Sequence, residues 1–291
     1  MRLIESEGAE QVFAALHADA AAVAVPRLSN LDRLSDRRPC MAPFEGVENF
    51  RDFGGCRTQD QRMVAAGRLY RCAHLCAVTA TDVARLDALG VAFLVDFRGP
   101  DERAAMPSKW APARTLFRDP DAARRPTATL AGPRTPYTAE TARTMMRQMY
   151  SRMVQDRRFI ALLGDLFRSL ATAGGPLIVH CASGKDRTGI ACALLLHALG
   201  VDQPVIYADY LATNAQLDWV ERAEIIRGDL EPVEGPLDDA TIAPLIGVEA
   251  QYLQAAFQTI ATRQGSVEAY LQDTLGVTPL MQAQVRAHLL V

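Results

Sequence analysis

The run His180-Cys181-Ala182-Ser183-Gly184-Lys185-Asp186-Arg187-Thr188-Gly189 joins a thiol to a row of hydrogen-bond donors. Upstream, residues 176–179 are a short apolar run of the kind a buried strand shows, and residues 190–199 read as an apolar helix. The ten residues are therefore a strand-to-helix loop. Successive amides in such a turn converge into a positive concavity, and the helix N-terminus adds its own partial positive charge, so a phosphate dianion fits there. Cys181 opens the loop and Arg187 closes it with five residues between. The planar guanidinium can clamp two phosphoryl oxygens while the sulfur attacks phosphorus in line. Helix termini and nearby cations lower a cysteine's pKa to ~3.5–7.5, so the expected nucleophile is a standing thiolate. The reaction class this implies is phosphate ester hydrolysis through cysteine.

Around that pair, Ala182, Ser183, Gly184, Lys185 and Thr188 are the candidate phosphate-binding residues, through loop amides and, for Thr188, a hydroxyl aimed at the sulfur. Thr188 could equally cap the helix. Lys185 reads as a flexible cation at the mouth of the site or a solvated lysine. The leaving oxygen needs a proton, which narrows the choice of acid to Asp186, inside the loop, and Asp96, at the end of an apolar run. Asp96 with Arg98 and Glu102 could instead be a structural ion-pair network. His180 precedes the nucleophile on a strand, so its side chain faces away from Cys181 and is not a direct base. Three rivals compete. A nucleotide-binding G-x4-G-K-[ST] loop would need glycine at Val179 and a hydroxyl at Asp186. A sulfurtransferase shares the strand-cysteine-helix plan. A phosphate-binding module without turnover would not need Cys181, Arg187 and an acid together.

The loop H-C-x-x-G-K-D-R-T-G resembles the signature of cysteine-based protein tyrosine phosphatases, in their atypical bacterial branch. Asn49-Phe50-Arg51-Asp52-Phe53-Gly54-Gly55, Gly67 to Arg71, Val95-Asp96-Phe97-Arg98 with Glu102, Asp209-Tyr210-Leu211 and Tyr270-Leu271 near Leu275-Gly276 extend the likeness over residues 44–290. Cys56 and Cys72 depart from it, standing where an aromatic and a serine are common. The resemblance implies a phosphatase-like α/β fold, a central mostly parallel sheet flanked by helices. It also implies a histidine at 180 that orders the loop and helps to keep the cysteine ionised. Related lipid phosphatases with C-x4-D-R loops favour Asp186 over Asp96 as the acid. The implied substrate is phosphotyrosine in proteins, with phosphoserine or phosphothreonine beside it, or alternatively a phosphoinositide or inositol phosphate. No cofactor and no metal are implied.

The elements that must position this loop read as follows. A weak alanine-rich helix is expected over residues 9–24, followed by a linker, making residues 1–43 an N-terminal extension to a phosphatase domain over 44–291. Residues 44–72 suit short strands at a sheet edge. Residues 79–89 form a helix with a Thr79–Asp82 capping box, stopped by Gly90, and residues 91–97 a strand. Residues 100–136 carry seven of the chain's sixteen prolines, so a long loop or flap is expected, part of an insertion at about 100–150. Seven arginines between 114 and 147 against three acids make that stretch basic. Residues 145–173 suit one or two amphipathic helices, 208–227 one helix, 228–244 a loop, and 248–263, 266–275 and 278–290 three more helices.

Composition sets the outer limits. A chain of 291 residues that is 49% hydrophobic can bury a full core as one large domain. Net charge of −3 gives no global attraction to nucleic acid, so anion recognition must be local. No apolar run reaches the ~18 residues of a membrane span, and the acidic N-terminal stretch is unlike a secretory signal, so a cytoplasmic protein is expected. Six cysteines at irregular positions do not form a disulfide framework. Cys72, His74 and Cys76 lack a fourth ligand nearby and read as packing residues rather than a zinc site. Partners beyond a phosphorylated protein or phosphoinositide, and the oligomeric state, are not encoded.

Overall fold

The computed structural model describes residues 43–119 and 137–291. The chain divides into two units, Met1–Asp36 and Arg37–Val291, and all described residues belong to the second. The helix expected over 9–24 and residues 120–136 of the expected flap lie outside the described residues.

Five short strands build one sheet. They are β1 (Arg51–Asp52), β2 (Leu69–Cys72), β3 (Phe93–Asp96), β4 (Thr115–Leu116) and β5 (Leu177–His180), in the order β1-β2-β5-β3-β4. Only β1 runs antiparallel, against β2. The three central strands are fully buried, as near-continuous apolar runs in a parallel sheet should be. Their register sets Cys72, His180 and Asp96 side by side at the carboxyl ends. The loops after β2, β3 and β5 thus leave from one edge, where open α/β sheets bind ligands.

Helices cover both faces. On one lies α1 (Ala80–Ala88), whose Thr79 and Asp82 make the expected capping box; the same Asp82 carboxylate accepts from the amides of Glu45 and Gly46, at 2.9 and 2.7 Å. On the other lies α5 (Asp186–Leu199), buried almost all round. It shares the main core with α4 (Arg157–Thr172), whose Phe159, Leu162, Leu163, Leu166, Phe167 and Leu170 follow helical spacing into that core. Burying each such side chain contributes ~1.5–3 kcal/mol, which makes α5 a rigid base for the loop ahead of it.

Three expectations need correction. The described part of the proline-rich stretch, residues 100–119, is not all loop, because α2 (Pro100–Ala105) starts on a proline at its first position and β4 joins the sheet. After it comes α3 (Ala139–Met153), which packs into the body through Ala142, Met146 and Tyr150. The helix expected over 208–227 is α6 (Gln203–Leu211), a 3-10 turn (Ala212–Ala215) and the start of α7 (Trp219–Glu234). The expected loop at 228–244 is the end of α7 and α8 (Asp239–Ile246), joined by residues 235–238. Pro232 and Pro244 lie inside these helices, and each deprives a carbonyl four residues back of its donor. Those residues, Gly228 and Ala240, are exposed, so water can satisfy them. Beyond them come α9 (Ala250–Gln264), a short helical turn Val267–Ala269 continued by a π-helical turn Tyr270–Thr274, and α10 (Pro279–Leu289). No described helix is long and apolar enough to cross a membrane.

Candidate active site

Between the end of β5 and the start of α5 the chain turns through Cys181, Ala182, Ser183, Gly184 and Lys185. Gly184 has φ +64°, and a Cβ there would sit 2.3 Å from the Cys72 carbonyl oxygen, so the tight turn against β2 demands glycine. The loop's carbonyls are held from outside. His74 N donates to Ala182 O at 3.0 Å, Asn49 Nδ2 to Ser183 O and Gly184 O at 3.1 and 3.0 Å, and Arg71 Nη2 to Gly184 O at 2.9 Å. The peptide N–H groups of Ala182 to Asp186 have no acceptor among the described residues, which is the arrangement an anion needs. Cys181 lies at the start of this row, 2% exposed.

The outside clamp is itself anchored. Arg71 is fully buried, and its Nη1 donates to Asp209 Oδ2 at 2.8 Å. Burial works against its charge, but negative neighbours including Asp209 hold its pKa above the ordinary value. Arg51 donates to the Asp209 carbonyl at 2.9 Å, to Thr213 Oγ1 at 3.0 Å and to Asn49 Oδ1. Asn49, Arg51, Arg71 and Asp209 all stand in segments visible in the sequence, yet sequence reasoning gave them no task. What the sequence hides is that they meet behind one loop.

Arg187, in the first turn of α5, has its orientation fixed by Glu102 of α2. Nη1 and Nη2 each donate to one carboxylate oxygen at 2.6 Å, and Nη1 also donates to Phe97 O at 3.0 Å. Burial alone would lower its pKa; the Glu102 hydrogen bonds and the Cys181 charge reverse that and hold it above the ordinary arginine range. The Nε–H and the second Nη2–H, adjacent on one edge of the guanidinium, have no acceptor among the described residues, an edge whose spacing matches two oxygens of an anion. Glu102, read from sequence as a partner of Asp96 and Arg98, thus pairs with Arg187 instead.

Asp96 is engaged on both oxygens. Arg98 reaches it through Nε at 3.0 and 3.1 Å, Nη2 at 2.8 Å and its own amide at 2.9 Å. Burial pushes the Asp96 carboxyl up, but these bonds outweigh it and hold it below the usual range. His180 is fully buried with Nε2 at 3.6 Å from Asp96 Oδ2. Burial pushes its pKa down to about 4, despite Asp96, so it is a neutral imidazole near neutral pH. Its ring lies beside the Asp96 carboxylate of β3, its register partner.

Asp186 opens α5, where Tyr150 of α3 donates to its Oδ1 at 2.8 Å. Lys185 is not at the mouth: its Nζ donates to the carbonyls of Leu245, Ile246 and Gly247 at the C-terminal end of α8, and burial lowers its pKa. Both the flexible and the solvated reading of Lys185 give way to that contact. Ser183 accepts at Oγ from Arg222 Nη1 of α7 at 2.8 Å, and Arg222 is braced by Glu48. Thr188 is the third residue of the helix rather than its cap, and its buried hydroxyl has no partner among the described residues. Of the cysteines weighed as ligands, Cys72 is buried in the core and Cys76 Sγ lies 3.0 Å from His74 Nδ1.

Known proteins place this geometry. The model of a tyrosine phosphatase family matches residues 42–291. A Cupriavidus necator protein bearing the name of a tyrosine-protein phosphatase is 34% identical over 261 residues, covering 85% of this chain and 87% of that protein. The triple specificity protein phosphatase PtpB of Mycobacterium tuberculosis is 38% identical over 129 residues, 42% of this chain and 46% of its own. A tyrosine-protein phosphatase of Nostoc commune is 28% identical over 240 residues, 77% and 75% of the two chains. With most of its length matched, and with the cysteine-arginine loop standing where the sheet's carboxyl edge meets a helix, the chain belongs to the tyrosine phosphatase family.

Proposed function

We propose that the protein hydrolyses phosphotyrosine in proteins, and phosphoserine or phosphothreonine beside it, through a phosphocysteine intermediate. The observation that carries this is the loop from Cys181 to Arg187, with its carbonyls tied outward and its arginine held by Glu102. The amides and Arg187 receive the equatorial oxygens, where charge collects in a loose phosphoryl-transfer transition state. Cys181 attacks phosphorus, and the unpartnered Thr188 hydroxyl can donate to the thiolate when it leaves. Asp186 is the acid we favour, since Asp96 spends both oxygens on Arg98. His180 is a packing partner of Asp96 rather than a source of positive charge for the thiolate.

The phosphoinositide alternative loses the ground it had in Lys185, whose ammonium is bound by α8. Breadth of substrate still finds support in the relative named for triple specificity. A cytoplasmic setting suits a mechanism that needs a reduced thiol.

The test is turnover of phosphotyrosine, phosphothreonine and phosphoinositide substrates by the parent and by Cys181→Ser. The parent should act on phosphotyrosine in EDTA and the serine variant should be inert, because a hydroxyl is far from ionised where a thiolate is stabilised. A serine variant of full activity would remove the cysteine mechanism. A parent inert on all three would leave a phosphate-binding module.

A further inference from the structure

Three tyrosines from three helices meet below Asp186. Tyr150 of α3, Tyr210 of α6 and Tyr252 of α9 are all buried, with ring centroids 6.2 Å apart for Tyr150 and Tyr210 and 5.8 Å for Tyr150 and Tyr252. Two of them form a directed chain: Tyr210 OH donates to Tyr150 OH at 2.7 Å, and Tyr150 OH donates to Asp186 Oδ1 at 2.8 Å. Tyr252 points elsewhere, to the Pro244 carbonyl at 3.1 Å. The chain is built against the loop, since a Cβ on Gly189 would come within 2.9 Å of the Tyr210 ring. Gly189 therefore serves a ring that packs on α5, not only the turn.

We propose that Tyr150, oriented by Tyr210, is a positioning residue for the general acid: it holds Asp186 Oδ1, so that Oδ2 is the oxygen that carries and delivers the proton. The proposal rests on the reading of Asp186 as that acid. A hydroxyl has one proton to donate, and in this chain each is spent in order towards Asp186. Burial first, and then the Asp186 charge, keep both phenols protonated well above their usual range, so they serve as donors throughout the working pH of the site. Asp186 Oδ2 lies 3.9 Å from Lys185 Nζ, beyond a hydrogen bond, and that ammonium is already bound by α8. The titratable and charged groups facing Asp186 are thus Lys185 and Arg187 on its own loop and helix, Tyr150 from α3, Tyr210 from α6 and Tyr252 from α9.

The proton balance follows. As the S–P bond forms and the P–O bond breaks, the ester oxygen keeps the bonding pair and takes the proton from Oδ2. In the second step the Asp186 carboxylate takes a proton from the water attacking phosphorus, and Cys181 leaves as thiolate. A free aspartate turns about two bonds. Pinning one oxygen removes that freedom at the moment of transfer.

The experiment is kcat across a series of substituted aryl phosphates, with pH profiles, for Tyr150→Phe, Tyr210→Phe, Asp186→Asn and the Tyr150→Phe/Asp186→Asn double variant. Tyr150→Phe should lose about tenfold on esters with poor leaving groups and little on those whose phenolate departs unaided. The basic limb of its profile should move to higher pH, because the carboxylate form has lost a donor. Tyr210→Phe, which keeps its ring and removes only the proton to Tyr150, should shift both in the same direction by less. In the Asp186→Asn background Tyr150→Phe should add no further dependence on the leaving group. An equal loss across the whole series, or full additivity in the double variant, overturns the proposal. If Tyr150→Phe does not fold, a Tyr210→Phe profile identical to the parent's overturns it. If Asp186→Asn itself shows no dependence on the leaving group, the acid is misassigned and the proposal falls with it, whatever the tyrosine variants do.

Discussion

Arg187 has five N–H donors, and Glu102 with the Phe97 carbonyl occupies three of them before any substrate arrives. Replacing it by lysine should lower kcat by ~10³ or more, since a point charge cannot grip two oxygens along one edge. Steady-state turnover of p-nitrophenyl phosphate measures this, and near-normal kcat would make the arginine structural. Glu102→Gln tests the same fork from behind. The amide keeps the shape but offers one acceptor where there were two, so kcat/KM should fall about 10- to 100-fold, within the ~1.5–3 kcal/mol of a charged hydrogen bond. The sequence made the loop and its two ends legible because they are contiguous. It misread Glu102 and Lys185 because their partners are remote: Arg187 is 85 residues from Glu102, and the Ile246 carbonyl 61 residues from Lys185. No local pattern records which of several nearby charges a long side chain will find.

At the level of elements, the loop is pressed against the end of β2. Gly184→Ala would force a Cβ into the Cys72 carbonyl at a left-handed φ, a double conflict that should cost at least ~2 kcal/mol of stability and most of the activity. Urea denaturation with parallel kinetics checks it; an unchanged midpoint would mean that the loop relaxes freely. The strands β3 and β5 and the helix α1 were legible here because apolar runs and a capping box are local signals. The pair α7 and α8 was not. Only Ala223 of α7 is buried, so there is little apolar periodicity to read, and Pro232, Pro244 and Gly228 mimic loop composition. Tertiary contacts, Lys185 on the carbonyls at the C-terminal end of α8 and Arg222 on Ser183, stand in for what the local sequence withholds.

For the whole molecule, burial of His180 sets a pH dependence of folding. Its folded pKa of about 4 lies below its ordinary 6.5, so the unfolded chain takes up the proton first as pH falls. Stability should be full above pH 6.5 and decline between 6.5 and about 4, by on the order of 3 kcal/mol. Asp96, whose carboxyl is held below its usual value, keeps its contribution until still lower pH. His180→Gln should flatten the upper window in urea midpoints measured against pH, and a slope identical to the parent's would mean that other groups set it. The loop between β5 and α5, finally, is braced by distant stretches of chain: Gly184 is tied to Asn49 across 135 residues and to Arg71 across 113, and Arg71 to Asp209 across 138. Contacts of such sequence separation form late, after most loop-closure entropy has been spent. A chain cut short before Asp209 lacks the carboxylate that holds Arg71, so the clamp behind the loop is complete only once the polypeptide extends past that residue.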